Sequence, residues 1–422
     1  GHMERWLRHE AYRPRAEAPD GWTTRRGGAR PPAVLAPTPE NAALALELCR
    51  NQLACVASRR INVGCDETFE LGKGRSRDEV ARRGRGPVYL EHLRRIVEPL
   101  RAEGCEVLFW GDVLRSHPEC VAELPRAGVV ALAWHYEAPL DPAIVPDAAR
   151  EVAADLGFDL ETLRGFAVQG APFAEAGIPF WVCPGLSTWN SFVGRLANAR
   201  ANLRDAAHHG LAQGAGGFLV TDWGDHGHHQ PPAVSLLPLA DAASVAWCLE
   251  TNRDVDDAAL AHAADALLLE DEAGVLGDVL VRAGGAYART GAFAVNASPL
   301  FAALVPPGPL GVLGAPDRDA LAAVVRELEA CLGALPDARS HAPDAEALRA
   351  ELDAALRLAR HGAWRLARDH GLPAPDDAAL HADLGDAIAR QRAAWLLRSR
   401  PGGLADSLAR LERAQRACAP GG

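Results

Sequence analysis

Two adjacent carboxylates, Asp66 and Glu67, are the residues best placed to do chemistry. They follow an apolar segment, residues 60–65, and precede a glycine-rich polar loop, residues 70–76. Two carboxyl groups at the end of a strand favour acid/base work on a polar substrate. Neighbouring side chains on a strand point to opposite faces, so we expect this pair to diverge. Such a pair does not flank one glycosidic bond at about 5 to 9.5 Å, as the carboxylates of ordinary retaining or inverting glycosidases do.

Alternating strands and helices are predicted around this pair, over residues 40 to 230. The predicted strands are 60–65, 105–110, 129–134, 178–183 and 217–221. The predicted helices are 41–57, 87–103, 117–124 and 191–209, with at least one more in 139–176. This alternation indicates parallel βαβ units, and continuous apolar strands indicate a sheet buried on both faces.

Aromatic, amide or acidic residues follow each predicted strand. They are Asp66-Glu67, Trp110-Gly111-Asp112, Trp134-His135-Tyr136-Glu137, Trp189-Asn190 and Asp222-Trp223-Gly224-Asp225. Sugar rings have apolar C–H faces and hydroxyl edges, which Trp faces, carboxylates and amides complement. In a β/α barrel the strand ends form the active-site rim. We therefore predict a carbohydrate pocket at one rim, with His135 and Glu137 beside it.

Composition excludes several classes of function. The chain has 422 residues, 48% of them hydrophobic, and a net charge of −11. This balance is typical of a globular protein and disfavours a nucleic-acid partner. No apolar run reaches the roughly 18 residues of a membrane span, so no membrane partner is expected. The nine Cys are odd in number and several lie in apolar segments. We expect free thiols in a reducing compartment, and a cytoplasmic location.

The sequence changes character from about residue 256. Ala/Leu stripes with Asp near their starts predict helices at 256–269, 317–333, 344–370 and 377–398. We expect residues 1–255 to form one domain and residues 256–422 an α-helical C-terminal region. Residues 1–40 contain no convincing strand, which leaves five strands where a closed barrel needs eight. Either the sheet is open or three strands are missing upstream.

Three segments resemble the glycoside hydrolase family 20 β-N-acetylhexosaminidases, in particular their hexosaminidase D-like branch. The segments are INVGCDETFELGKGRS at 61–76, VCPGLSTWNSFVGRLANARANL at 182–203 and GFLVTDWGDHGHHQP at 217–231. The resemblance covers about residues 1–235. It implies an α/β fold, a (β/α)8 TIM barrel that lacks its first three strands in this chain, beside the helical C-terminal region.

The resemblance implies substrate-assisted retention, an exception among glycosidases. Glu67 is then the general acid for the leaving oxygen and later the base for water. Asp66 holds the substrate's acetamide N–H, so adjacent carboxylates serve two ends of one sugar. The implied activity releases terminal β-linked N-acetylglucosamine or N-acetylgalactosamine from glycans or glycoconjugates, with no cofactor and no metal.

Substrate-binding residues are also implied by the resemblance. Trp110 and Trp134 resemble the walls of the acetamide pocket, with Asp112 assigned to the same site. Trp223 resembles the pocket floor. Asp225 stands where the family has a Glu that binds distal hydroxyls. The family commonly has a Tyr after its seventh strand, where this sequence has Trp189 and Asn190; Asn190 or Tyr136 is expected to substitute.

Gly1-His2-Met3 has two interpretations. It is a common expression scar, which should be left out of fold reasoning. The family also has an Asp-x-Pro-Gly-His motif at the end of its third strand, and residues 1–13 resemble that motif's Gly-His and the segment after it. We favour native sequence, with His2 a substrate-binding histidine and the upstream strands and their substrate-binding arginine missing.

Other interpretations stay open. The acid pair is alternatively an ordinary acidic loop start. Cys65 is alternatively a nucleophile, although no base is positioned beside it. The chain is alternatively a non-catalytic sugar-binding fragment. A metal-dependent barrel hydrolase would use His226, His228 and His229 beside Asp222 and Asp225. A basic loop, either solvated or in contact with glycan, contains Arg75, Arg77, Arg82, Arg83 and Arg85.

Overall fold

The computed structural model describes residues 2–23, 28–145, 147–156, 159–306 and 312–419. The chain divides into two compact units. Unit 1 comprises residues 1–135, 139–184 and 205–219, and unit 2 comprises residues 136–138, 185–204 and 220–422. This division rests on contacts between residues, and the boundary predicted at residue 255 stays a prediction.

A parallel four-stranded sheet lies in unit 1. Its strands, in the order β3-β4-β5-β6, are Arg60–Asn62, Glu106–Trp110, Val129–Trp134 and Phe180–Cys183. The register pairs Ile61 with Val107, Leu108 with Val130, and Leu132 with Trp181. The predicted α/β class is confirmed at this level. The predicted fifth strand at 217–221 forms two isolated parallel bridges, Val182 to Phe218 and Gly185 to Thr221.

A small antiparallel pair of strands lies near the N-terminus. β1 is Trp22–Thr23 and β2 is Ala29–Arg30, with Trp22 opposite Arg30. The expectation that residues 1–40 contain no strand was wrong. A two-residue strand is too short to show the alternation of apolar and polar residues by which strands are recognised.

Helices make up most of the remaining structure. The α-helices of unit 1, with one that extends into unit 2, are Glu4–Leu7, Pro39–Leu53, Arg77–Arg83, Arg85–Ala102, Asp112–Arg115, Pro118–Val121, Asp147–Leu156, Phe166–Gln169, Ala171–Ala176 and Leu196–Gln213. Those of unit 2 are Pro232–Trp247, Leu249–Asn252, Asp257–Ala264, Val275–Gly284, Pro299–Ala302, Arg318–Ala334, Ala345–Asp369, Asp377–Arg398 and Leu404–Arg416. A π-helical turn, Asp265–Leu269, and short 3₁₀ turns complete the regular elements.

Aspartates cap several of the predicted C-terminal helices. The side chains of Asp256, Asp317 and Asp376 accept hydrogen bonds of 2.7–2.8 Å from backbone N–H groups in the first turn. Such an N-cap satisfies a donor that has no partner inside the helix. The acidic starts that predicted these helices therefore act as their caps.

Each unit has its own hydrophobic core. In unit 1 the helix Arg85–Ala102 buries Leu93, Ile96 and Leu100 in the cluster that includes sheet residues Val107 and Phe109. In unit 2 the core is built mainly from Leu and Ala of the C-terminal helices.

All nine cysteines lie in the described residues and are free thiols, as expected. Among the described helices, none combines the length and apolar character needed to cross a membrane.

Candidate active site

The acid loop, Gly64–Glu67, leaves strand geometry directly after β3. Gly64 and Cys65 have φ of 75° and Glu67 has φ of 48°. Non-glycine residues rarely adopt such left-handed conformations, and they do so mainly where surrounding structure enforces them. Strand alternation therefore ends before the acid pair, and the expectation that strand geometry makes the two side chains diverge was wrong.

Both carboxylates of the acid loop approach one imidazole nitrogen. His2 Nε2 lies 3.0 Å from Asp66 Oδ2 and 3.4 Å from Glu67 Oε2. The hydrogen bond to Asp66 raises the pKa of His2 above its ordinary value. Burial alone would raise the pKa of Asp66, but the His2 hydrogen bond and charge outweigh it and hold that pKa below its usual value. Asp66 is therefore ionised at neutral pH.

Asp112 connects the acid loop with the end of β5. Its Oδ2 accepts a 3.0 Å hydrogen bond from the Glu67 backbone N–H, and its Oδ1 accepts a 3.4 Å bond from Trp134 Nε1. Burial, with a contribution from the charge of Asp66, raises the pKa of Asp112 to about 6. These bonds fix the Glu67 backbone and the Trp134 indole, and a direct sugar contact by Asp112 stays a prediction.

Two residues of helix Arg85–Ala102 bond to main-chain carbonyls of the acid loop and of Thr68, the residue after it. The Tyr89 hydroxyl donates to Cys65 O over 2.8 Å, and Arg85 Nη2 donates to Thr68 O over 2.7 Å. Burial lowers the pKa of Arg85 and raises that of Tyr89. Sequence reasoning missed Tyr89 because nothing in its local sequence marks it as a neighbour of residue 65.

The prediction of a basic loop was wrong for four of its five arginines, because they lie in the helices Arg77–Arg83 and Arg85–Ala102. Arg83 Nη1 pairs with Glu79 and Glu91 at 2.6 and 2.5 Å, and Arg75 donates to Pro14 O over 2.7 Å. These bonds support a structural role for Arg75 and Arg83.

The other predicted residues of unit 1 are largely buried. The Trp110 side chain is packed at the end of β4, and its backbone N–H donates to Gly64 O over 3.0 Å. His135 is buried against Phe166, with ring centroids 6.2 Å apart, and burial lowers its pKa to about 4. His135 is therefore neutral at ordinary pH.

The amide loop, Ser187–Asn190 in unit 2, also contains left-handed residues. Ser187 has φ of 55° and Asn190 has φ of 50°. The Trp189 side chain is fully buried and meets Tyr136 edge to face, with centroids 5.1 Å apart. Gly185 is required there, because a Cβ at this position would lie 2.3 Å from the Trp189 ring.

Asn190 and Trp189 have defined hydrogen-bond partners. Asn190 Oδ1 lies 2.9 Å from His226 Nδ1, and Asn190 Nδ2 donates to Asn296 O over 3.0 Å. Trp189 Nε1 donates to Asn296 Oδ1 over 3.1 Å. The sequence prediction placed Trp189 and Asn190 in the site but contained no signal for Asn296.

A buried ion pair supports the amide loop. Arg195 Nη1 lies 2.9 and 3.1 Å from the two carboxylate oxygens of Glu137. Asn198 donates to Ser187 Oγ over 2.7 Å, and Asn202 donates to Glu137 O over 2.9 Å. Glu137 is thus a structural anchor in unit 2.

The acidic and histidine residues after residue 221 have different surroundings. Asp222 accepts hydrogen bonds from Thr188 and Ser235, and Asp225 lies in the 3₁₀ turn Asp225–Gly227; both aspartates are exposed. His229 is buried and bonds to Ser407 O, and burial lowers its pKa to about 4. Within the described ranges no three His, Cys, Asp or Glu side chains group as metal ligands would. The absence of a metal stays a prediction.

The predicted site residues fall into two sets. Unit 1 brings His2, Asp66, Glu67, Asp112 and Trp134 together by direct contacts, with Trp110 on the neighbouring strand. Unit 2 brings Tyr136, Trp189 and Asn190 together, and it also contains Trp223 and Asp225.

Comparisons with known proteins point to a hexosaminidase-like relationship. No family model matches the chain. The chain is 34% identical over 97 residues to hexosaminidase D of Homo sapiens, which covers 20% of this chain and 19% of that protein. It is 25% identical over 266 residues to hexosaminidase D of Bos taurus, which covers 59% of this chain and 67% of that protein. The similarity is distant and is compatible with glycosidase activity.

Proposed function

We propose that this chain is a retaining exo-β-N-acetylhexosaminidase of the family 20 type that uses substrate-assisted catalysis. The observation that supports it most is the approach of the Asp66 and Glu67 carboxylates to the same imidazole nitrogen after a parallel strand. The distant similarity to hexosaminidase D agrees with it. The proposal includes a (β/α)8 barrel.

Glu67 and Asp66 divide the proposed reaction between them. Glu67 donates a proton to the leaving oxygen as the bond from that oxygen to the anomeric carbon breaks. The substrate's acetamide oxygen bonds to the same carbon, and ionised Asp66 stabilises the positive charge that develops on the acetamide. Water then attacks the anomeric carbon, the acetamide oxygen leaves, and Glu67 takes the proton of the water.

The remaining residues position or bind the sugar in this proposal. Asp112 fixes the Glu67 backbone and the Trp134 indole. His2, Trp110 and Trp134 contact the acetamide-bearing sugar, as the resemblance implies. Tyr136, Trp189, Asn190, Trp223 and Asp225 form a second set of sugar-binding residues. The substrates are terminal β-linked N-acetylglucosamine or N-acetylgalactosamine.

Hydrolysis of aryl N-acetyl-β-hexosaminides tests this proposal. Glu67→Gln should lower kcat by about 10²- to 10⁴-fold for a poor phenol leaving group. The loss should shrink for 2,4-dinitrophenol, which leaves without a proton. Asp66→Asn should lower kcat with both leaving groups, because Asp66 acts on the acetamide and not on the leaving oxygen.

Two controls make the assay specific. Glu47 is exposed on helix Pro39–Leu53, so Glu47→Gln should retain wild-type activity. A thiazoline that mimics the oxazolinium intermediate should inhibit the wild-type chain. Full activity in Glu67→Gln, or activity of the wild type only after metal addition, would contradict the mechanism.

A further inference from the structure

Asn296 lies outside every segment assigned to sugar binding, yet it contacts two predicted site residues, Trp189 and Asn190, and also Glu137. It belongs to the region expected from sequence to be an accessory helical part. Its conformation is left-handed, with φ of 50°, which Asn tolerates better than most residues. The structure gives its backbone N–H, its backbone carbonyl and its side-chain oxygen a specific partner each.

Three hydrogen bonds join Asn296 to other parts of unit 2. Its backbone N–H donates to Glu137 Oε1 over 2.8 Å, and its side-chain Oδ1 accepts from Trp189 Nε1 over 3.1 Å. Its backbone carbonyl accepts from Asn190 Nδ2 over 3.0 Å. In addition, the Ser298 N–H donates to Asn190 O over 2.9 Å.

The Trp189 hydrogen bond fixes the N–H edge of the indole. Trp189 is 1% exposed, so its N–H has no access to bulk water. A buried donor that loses its acceptor is unfavourable enough to move the ring or admit water. The Glu137 carboxylate, which accepts the hydrogen bond from the Asn296 N–H, is itself paired with the buried Arg195. Asn296 is thus fixed on one side and fixes Trp189 and Asn190 on the other.

We propose that Asn296 is a positioning residue of the sugar-binding set, acting through the orientation of Trp189 and Asn190. This inference rests on the proposed function, because it takes these two buried residues to form part of the wall of an N-acetylhexosamine site. It assigns to the C-terminal region a part in sugar recognition.

Two substitutions of Asn296 and one control substitution test the Trp189 hydrogen bond. Asn296→Gly tolerates a positive φ and keeps both main-chain bonds, so it removes only the acceptor of the Trp189 bond. Asn296→Asp keeps an oxygen acceptor and should therefore retain the Trp189 hydrogen bond. Asn252→Ala is the control, since the Asn252 side chain likewise makes one hydrogen bond, which it donates to Ser244 O over 2.9 Å, and contacts no predicted site residue.

Indole ¹⁵N NMR of the full chain provides the readout without turnover. Trp189→Phe assigns the resonance among those of the ten Trp residues. The Trp189 indole proton should exchange with solvent about tenfold faster in Asn296→Gly, since loss of one hydrogen bond is worth on the order of tenfold. Exchange in Asn296→Asp should lie within about threefold of wild type, and Asn252→Ala should not change it.

Sugar affinity decides whether this positioning serves recognition. Titration with N-acetylglucosamine should shift the Trp189 resonance, and Asn296→Gly should raise Kd and KM about tenfold with kcat within about threefold, since one hydrogen bond orients the ring. In a Trp189→Phe background the same substitution should change Kd less than about twofold, because the bond is already absent.

Three outcomes overturn the inference. They are unchanged indole exchange in Asn296→Gly, faster exchange with unchanged sugar affinity, and failure of the sugar to shift the wild-type Trp189 resonance. Binding of the sugar without any hydrolysis by the wild type would count against the proposed function alone, because exchange and affinity still decide the role of Asn296.

Discussion

The acid loop and the amide loop share a left-handed backbone conformation and differ in their side chains. Each lies after a strand of the parallel sheet and contains two left-handed non-glycine residues, Cys65 and Glu67 in one, Ser187 and Asn190 in the other. Such residues cost about 1–2 kcal/mol each and persist where other contacts enforce them.

The side chains determine what each loop does with that backbone. In the acid loop they are carboxylates near an imidazole and near Asp112, so their charge depends on pH. In the amide loop they are neutral groups with specific hydrogen-bond partners. Changes in the acid loop should therefore alter turnover and its pH dependence, and changes around the amide loop should alter stability and sugar affinity.

The largest effect on stability is expected at the ion pair that supports the amide loop. Arg195→Met leaves the Glu137 carboxylate buried without its partner and should lower the free energy of unfolding by about 3–5 kcal/mol. Urea denaturation measures this loss. The double variant Glu137→Gln/Arg195→Met should recover more than half of it, because no charge is then buried unpaired. A single variant within about 1 kcal/mol of wild type would show that the pair contributes little.

Asp112 should link stability and turnover to pH. Its folded pKa of about 6 lies above the ordinary 3.8, so the folded state binds the proton more tightly than the unfolded state. The associated stability is present below about pH 4 and is lost as pH rises through 6, a change of about 3 kcal/mol. Relative to wild type, Asp112→Asn should therefore gain about 3 kcal/mol of unfolding free energy between pH 4 and 7.

Protonation of Asp112 should lower turnover, although it raises stability. Ionised Asp112 holds the Glu67 N–H, so wild-type kcat/KM should fall on the acid side of about pH 6. In Asp112→Asn that limb should disappear and activity at pH 7 should be lower. Stability and rate profiles with the same pH dependence in both proteins would show that Asp112 controls neither.

A smaller effect is expected from the acid-loop backbone. Gly64 has φ of 75° and open space around the position of a Cβ, so Gly64→Ala should cost only the left-handed penalty, about 1–2 kcal/mol. Gly104, with φ of 82° and the same open space, is the matched control at a helix end. Thermal unfolding should show similar losses in both. Only Gly64→Ala should also lower kcat. Equal kcat in Gly64→Ala and Gly104→Ala would show that the backbone geometry of the acid loop does not affect catalysis.

Local patterns predicted the elements better than the contacts between distant residues. The helix Asp377–Arg398 and the strand Val129–Trp134 begin and end at the predicted residues, because their apolar periodicity is continuous. The same pattern placed Asp66 and Glu67 after β3. It did not predict their left-handed backbone, because in an apolar run Gly64 alone signals a turn.

Long-range partners had no sequence signal. Asn296 contacts Glu137 across 159 positions, and Tyr89 contacts Cys65 from a helix whose amphipathic pattern indicates only a buried face. Such pairs depend on how elements pack, which local residue patterns do not encode. Asp112 was found because it lies just after a strand, but its partners Glu67 N–H and Trp134 became visible only in the structure.

The smallest effect is expected at Cys65, and it tests whether the acid loop contains a nucleophile. Burial raises the pKa of the Cys65 thiol to about 11, so about 0.1% of it is ionised at pH 8. Iodoacetamide should therefore label the exposed Cys55 and leave Cys65 unmodified, as peptide mass spectrometry can show. Cys65→Ser should keep kcat within about threefold of wild type, because Ser can replace a thiol that takes no part in bond formation. Rapid labelling of Cys65 together with loss of turnover in Cys65→Ser would instead assign the covalent step to the thiol, and would leave Asp66 and Glu67 only to position it.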